Sequence, residues 1–443
     1  MTKEECFALL LPSFVKNEEE GKEIPYAEAV ETRHDLTPLR SLLNRLGDPD
    51  EGPAVIHIAG SNGKGSVAAS LQNILSLASY KTALYTSPHL EKMNERICIN
   101  GEDISDEDLR RLCHKVREES EKLYPTPNAF DLLTAVAFLY FQEQQVDFLI
   151  LEVGLGGRLD STNVVKSKIL SIICPIALEH TEILGDSLEK IAEEKGGIIT
   201  ADTPVLLMRQ KREVEEVIRR IAHKKNAAFL STNPHFLHSY PFHPDNGYQY
   251  FSYKGRKEYA LSLLGDYQLD NAMVILDAVD YLKSSGYRIP EEAVKLGLYT
   301  VQWKGRFEVL KRNPLFILDG AHNPQAMTAV VRSVEMLFPH YQKRVFFSVM
   351  ADKDYSSMLH ILKRNSQSFT FYQADRTRGK KAEDLANEWK KEYDGEIHIA
   401  KSLEEGLAFN LEKMKKENGR TLLLSVGSLY QVAAIRNYCK ENV

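Results

Sequence analysis

From residue 54 onward the chain alternates short unbroken apolar runs with longer stretches in which apolar positions recur at helical spacing. "AVIHIA" breaks into Gly60-Ser61-Asn62-Gly63-Lys64-Gly65-Ser66, after which Val67, Ala68, Leu71, Ile74 and Leu75 resume on a helical period. The pattern predicts a strand, a glycine turn and a helix. "KTALYT" predicts a second strand, and Ser105 to Asp108 is a Ser-x-x-Asp capping box opening a helix to roughly Leu123. "AFDLLTAVAFLYFQ" reads as an apolar helix, and "DFLILEV" and "ILSIICPIAL" as strands buried on both faces. Such βα alternation predicts a mostly parallel sheet covered by helices. At 235–260 Tyr, Phe and His crowd between turn residues, which predicts an antiparallel hairpin, and a helix through "NAMVILDAVDYL" closes the first unit. A second alternation begins near Arg306 with "LFILDG" and continues through "RVFFSVM", "SFTFYQA", "EIHIA" and "TLLLSVGS". The expected architecture is α/β: an N-terminal domain at 1–299, a linker at 300–305 and a smaller doubly wound domain at 306–443.

Composition narrows the function classes. At 443 residues two domains are expected, and 43% apolar with 27% charged residues describes a soluble globular protein. A formal charge of −6 argues against a nucleic-acid or anionic-membrane binder. The five cysteines are scattered without a Cys-x-x-Cys pair, which suits a reducing compartment and offers no zinc site. No apolar run approaches the ~20 residues of a membrane span. The start, "MTKEECFALLLPSF", does not read as a secretory leader, so a cytoplasmic protein is expected.

Consecutive N–H groups in a glycine turn at a helix N-terminus form an anion cradle, and Lys64 adds a point charge for outer phosphates. The spacing Gly-x-x-Gly-Lys-Gly-Ser differs from the standard phosphate loop, because Gly65 separates Lys64 from Ser66. In "LILEVGLGGRLDSTNV" Glu152 stands at the C-terminal end of a strand, where open α/β sheets bind ligands. A carboxylate beside phosphates needs a cation, which suggests Mg²⁺. Glu179 and His180 stand just past the next strand. Lys195 lies in the last turn of a helix before Gly196-Gly197, where a cation suits the dipole and glycine suits the C-cap. In the second domain Asp319 ends a strand, His322 follows, and Asn323-Pro324 opens a helix. Asp319 at such a tip can hold a ribose hydroxyl or a metal, or serve only as a turn residue.

Several stretches in order, "HIAGSNGKGSVA", "TSPHLEKMNERICING", "AFDLLTAVAFLYF", "LEVGLGGRLDSTNV", "HTEILGDSLEKIAEEKGGI", "LGDYQLDNA", "WKGRFE" and "LDGAHNP", resemble the folylpolyglutamate synthases. In bacteria many of these are also dihydrofolate synthases, and all belong to the Mur ligase superfamily. The resemblance runs from about residue 20 to the C-terminus. It implies a P-loop-type N-terminal ATPase domain, a Rossmann-like C-terminal domain and ATP as cofactor with Mg²⁺. By motif, Ser61, Asn62, Gly63, Lys64, Gly65 and Ser66 would cradle the phosphates, and Asn271, Arg306 and Asp319 would contact the nucleotide. Ser87, Glu152 and His180 would hold Mg²⁺; Phe130, Asp131, Leu159, Asp160 and Ser161 would bind the pterin. Lys64, Glu152, His180, Lys195 and His322 are the implied catalytic set, with Lys195 matching a carbamylated lysine. Departures are Ser61 for Thr, Asp131 for Glu, Glu179 for Asp, Tyr267 for His and Gly196 for Ala. The implied activity is ATP-dependent addition of L-glutamate to reduced folates, or to dihydropteroate, through an acyl phosphate by a monomer. The alternatives are a ligase on cell-wall precursors and a nucleotide-dependent kinase or switch. The former usually carries a whole extra domain before the loop, and only 59 residues precede Gly60 here.

Overall fold

The computed structural model describes residues 1–10, 35–375, 377–416 and 420–442. Residues 20–34, where the resemblance begins, lie outside them. The chain divides into two compact units, Met1–Leu237 with Asn271–Val301, and His238–Asp270 with Gln302–Val443.

The first unit is built on eight strands: β1 (Ala54–Ala59), β2 (Thr82–Tyr85), β3 (Ile97–Ile99), β4 (Glu102–Asp103), β5 (Phe148–Glu152), β6 (Leu170–Ile173), β7 (Val205–Leu207) and β8 (Phe229–Ser231). Their order is β4-β3-β2-β5-β1-β6-β7-β8. The strands from β2 through β8 in that order run parallel, and β3 and β4 add an antiparallel edge. Fully apolar strands follow from this topology, because helices cover both faces. The helix Lys64–Leu77 is buried along nearly its whole length. One cause is the second helix against it: a Cβ on Gly297 would stand 2.4 Å from Ile74, and Asn73 Nδ2 donates to the Gly297 carbonyl at 2.8 Å. Ser105 caps the helix Asp106–Ser120 by accepting from the Asp108 N–H, as the capping box predicts.

The second unit contains β9 (Leu237–Ser239), β10 (Gln249–Tyr253), β11 (Arg256–Leu261), β12 (Glu308–Arg312), β13 (Leu315–Leu318), β14 (Gln342–Phe347), β15 (Ser366–Phe371), β16 (Glu396–Ile399) and β17 (Thr421–Val426). Its main sheet runs β12-β13-β17-β14-β15-β16, parallel except for β12 at the edge. Two features differ from the sequence reading. The mixed "EVLKR" run forms β12, whose half-exposed edge position needs no continuous apolar pattern. The predicted hairpin is present as β10 and β11, but the segment containing it groups with the second unit rather than the first. Phe242 just before it packs edge-on against Phe338 of that unit's core. A local reading assigns an insertion to the alternation it interrupts, whereas side-chain packing decides its allegiance. No described helix is long and apolar enough to cross a membrane.

Candidate active site

In the first unit β2, β5, β1 and β6 are consecutive neighbours. Their C-terminal ends lead in turn to Ser87, Glu152, Gly60 and the Pro175–His180 segment. The register places Glu152 beside Ile58, one residue short of the end of β1. The sheet therefore collects chemistry-bearing side chains from four separate segments along one edge, the usual ligand-binding edge of an open α/β sheet. Glu152 is buried. His180 is exposed and sits in the left-handed region at φ 47°, an uncommon conformation for a side-chain-bearing residue.

The glycine turn is narrower as an anion seat than its sequence suggests. The N–H groups of Ser61 and Asn62 both donate to the Pro175 carbonyl, at 2.8 and 3.2 Å, and the Ala177 N–H donates to Ser61 Oγ. Gly63, at φ 85°, caps the helix, and the first intrahelical bond runs from the Val67 N–H to the Gly63 carbonyl. The N–H groups of the first turn, Lys64 to Ser66, precede that bond and lie at the positive end of the helix. Asn271 belongs to the same place: its Oδ1 lies 2.7 Å from where a Cβ on Gly63 would stand.

Lys64 Nζ folds back onto the Gly60 carbonyl at 2.9 Å. Lys195 Nζ reaches the same carbonyl at 3.0 Å and pairs with Glu179 Oε1 at 3.2 Å. This overturns the helix-end account of Lys195, whose buried side chain reaches the Gly60 carbonyl and Glu179 instead. Nor does Gly197 act as a left-handed cap, since its φ is −59°. Its missing side chain admits Arg158, whose Cβ stands 2.4 Å from the position a Cβ would take. Burial pushes the Glu179 carboxyl up, but the Lys195 and Lys64 ammoniums, the Ser61 hydroxyl and His180 outweigh it and hold it at about 2. Burial pushes the Lys195 ammonium down, aided by Lys64 and opposed by Glu179. Glu179, which sequence reasoning placed just past a strand and noted as a departure but gave no role, is the anion that makes this crowding of cations possible.

Phe130, Asp131, Asp160 and Ser161 come together and are all buried, while Leu159 is half-buried. Asp131 accepts from Ser161 Oγ at 2.7 Å and from the Asn128 N–H at the start of the helix Ala129–Glu143. Asp160 Oδ2 accepts from the Gly154 and Leu155 N–H groups, each at 3.0 Å, and Oδ1 from the N–H and hydroxyl of Thr162. Asp160 therefore shapes the glycine loop after Glu152. That loop is tied to the turn after Lys195. Asn163 Nδ2 donates to the Arg158 and Gly197 carbonyls, and Lys168 Nζ donates to Asn163 Oδ1 at 2.6 Å and to the Ile198 carbonyl at 2.7 Å.

Burial holds the Lys168 ammonium down to about 7 from an ordinary value of 10.5. Between those values the unfolded chain binds a proton that the folded chain does not, so stability should rise with pH across that window and be flat below it for this group. Melting temperatures measured against pH for the parent and Lys168→Met check this. A slope unchanged in the variant would place the titration elsewhere.

In the second unit the Asp319 carboxylate, at the tip of β13, accepts from Tyr267 Oη at 2.8 Å, the Phe307 N–H at 2.7 Å and the Ala321 N–H at 2.7 Å. Burial pushes this carboxyl up, opposed by the Arg306 guanidinium and by those hydrogen bonds. His322 Nδ1–H donates to the Gly320 carbonyl on the same turn at 2.9 Å, and Asn323 caps the helix Pro324–Leu337. The three candidates of this unit, Arg306, Asp319 and His322, thus share one loop cluster.

Two family models match the chain: the Mur ligase middle domain over residues 58–279 and the Mur ligase, glutamate ligase domain over residues 305–429. The fold is that of a Mur-type ligase. The dihydrofolate synthase/folylpolyglutamate synthase of Bacillus subtilis is 35% identical over 416 residues, covering 91% of this chain and 95% of that protein. Among solved structures, Mycobacterium tuberculosis folylpolyglutamate synthase complexed with ADP superposes with a TM-score of 0.85 at 28% identity, over 98% of this chain and 99% of that one. FolC of E. coli in complex with DHPP and ADP gives 0.80 at 26% identity, over 94% and 97%. The chain belongs to the folylpolyglutamate synthase/dihydrofolate synthase family of Mur ligases.

Proposed function

We propose that the protein is an ATP-dependent amide-forming ligase that joins L-glutamate to the γ-carboxylate of reduced folates, and that it also converts dihydropteroate to dihydrofolate. The observation that carries this reading is the gathering of the glycine turn, Ser87, Glu152 and the Glu179–Lys195 pair along one edge of the parallel sheet. An enzyme that phosphorylates a carboxylate must first neutralise the triphosphate. The first helical turn after Gly63 and the Lys64 ammonium supply donors and charge for its outer phosphates. Asn271 at the turn, and Arg306 and Asp319 of the second unit, complete the proposed nucleotide contacts, and His322 completes the catalytic set. The substrate carboxylate then attacks the γ-phosphorus and ADP leaves. The glutamate amine attacks the resulting acyl carbon, and phosphate departs with the activated oxygen. Phe130, Asp131, Leu159, Asp160 and Ser161 are proposed to shape the pterin seat, Asp131 and Asp160 by holding the backbone around it.

The donor set suits Mg²⁺. Ser87 and Glu152 offer oxygens from adjacent strand ends, and His180 follows β6, on the far side of β1 from them. Among the described residues no three His, Cys, Asp or Glu side chains converge into a protein cage. Mg²⁺ commonly binds through one or two carboxylates and keeps the rest of its shell as water and phosphate oxygens. Bound there, it would neutralise charge on the transferring phosphoryl group. The proposal places a monomer in the cytoplasm.

The test supplies ATP, Mg²⁺ and L-glutamate with tetrahydrofolate or dihydropteroate in turn and identifies products by mass. Each acceptor is expected to gain one glutamyl unit with release of phosphate. Extension of the folate alone would reduce the enzyme to a polyglutamylating ligase, and extension of neither would overturn the reading.

A further inference from the structure

The Tyr267 side chain lies outside every role assigned so far. Its ring is partly buried against the second unit's core, and its hydroxyl donates to Asp319 Oδ2 at 2.8 Å. The Phe307 N–H donates to that same oxygen at 2.7 Å, while Oδ1 receives the Ala321 N–H at 2.7 Å. A carboxylate oxygen has two lone pairs, so Oδ2 is saturated and Oδ1 keeps one acceptor position. We propose that Tyr267 is a positioning residue which fixes the Asp319 carboxylate so that it presents a single acceptor, on Oδ1, to one ribose hydroxyl of the nucleotide. This rests on the reading of Asp319 as a nucleotide contact and deepens it.

A phenol is a pure donor toward a carboxylate at any working pH. Burial and the Asp319 charge push the Tyr267 phenol well above its ordinary range, so it stays protonated. The charged or titratable groups reaching Asp319 are Arg306, from the loop before β12, and Tyr267. The other contacts are backbone N–H groups. With the carboxylate clamped from three sides its rotation is blocked, and the orientation of the remaining lone pair is fixed before a ligand arrives.

A monodentate acceptor distinguishes the two ribose hydroxyls. With ATP, 2′-deoxy-ATP and 3′-deoxy-ATP as substrates, one deoxy analogue should lose about tenfold or more in kcat/KM and the other less than about twofold, since only one hydroxyl meets the charged acceptor. Tyr267→Phe should raise the KM for ATP about three- to tenfold with the KM for glutamate unchanged, and should blunt discrimination between the analogues. It should also move the acid limb of kcat/KM for ATP to higher pH, because the lost hydrogen bond was lowering the Asp319 pKa. Tyr267→His, which restores a donor, should recover most of the loss. Parent-like ATP dependence, analogue discrimination and acid limb in Tyr267→Phe, beside an Asp319→Ala enzyme that has lost affinity for ATP, would overturn the role of Tyr267 alone. Equal loss with both analogues in the parent would overturn the single acceptor. An Asp319→Ala enzyme with unchanged ATP dependence would instead remove the nucleotide reading of Asp319.

Discussion

Glu152→Gln should lower ligation by about 10²–10³-fold while leaving the far-ultraviolet circular dichroism and the melting transition close to those of the parent. The substitution keeps the shape of a buried side chain at the end of β5 and removes only its charge. That charge stands beside the proposed phosphate seat, where a carboxylate is unfavourable unless a cation joins it. His180→Ala should lose activity on a comparable scale, because His180, in the left-handed turn that follows β6, is the third proposed Mg²⁺ ligand. Single-turnover measurements at ordinary Mg²⁺ separate the chemical step from product release. Near-parental turnover in either variant would mean that the metal is held elsewhere.

The second large effect is expected at Lys195. Lys195→Ala leaves Glu179, almost as buried, without its nearest counter-charge. Breaking one side of a buried pair commonly costs about 3–5 kcal/mol, so a lower melting temperature should accompany a nearly inactive enzyme. The carbamylated lysine that the resemblance implies at this position adds a sharper expectation. Carbamylation requires the neutral amine, and burial favours that form of Lys195 while Glu179 opposes it. Lys195→Arg keeps a cation within reach of Glu179 and the Gly60 carbonyl but cannot be carbamylated. If the carbamate is the working form, both variants should be inactive, and short carboxylates should partly rescue the alanine enzyme only. An active arginine enzyme would show that the cation itself is what the site uses.

The strand, glycine turn and helix around Lys64 were legible because each imposes its own spacing on the apolar positions. Glu152 stood out because it closes an apolar run at a place where a parallel sheet ends, whereas Ser87 and the metal role of His180 came only from the family resemblance. What stayed hidden consists largely of acceptors and partners with no local signature. The Gly60 carbonyl, which two lysines share, is a backbone atom like any other in the sequence. Lys195 and Glu179 are joined by the return of a helix toward the sheet edge, so the ordinary helix-end reading of a lysine before two glycines was the one available locally. The clasp formed by Asn163, Lys168 and the Ile198 carbonyl depends on a turn approaching from another segment. The hairpin at β10 and β11 was recognisable from its aromatic alternation, but its allegiance was written in Phe242 and Phe338, which lie far apart in the chain.

One neutral oxygen, that of Gly60, receives the ammonium groups of both Lys64 and Lys195, at 2.9 and 3.0 Å. Like charges do not converge unaided, and in a chain without Glu179 these two would drift apart. With Lys195 unmodified, the resting molecule thus holds an assembled pair of cations over a placeholder that has no charge of its own. On the proposed reading, a triphosphate arriving there would exchange places with a carbonyl instead of recruiting lysines from solution. The work of crowding the cations was done once, when the chain folded, and is not repeated at each turnover.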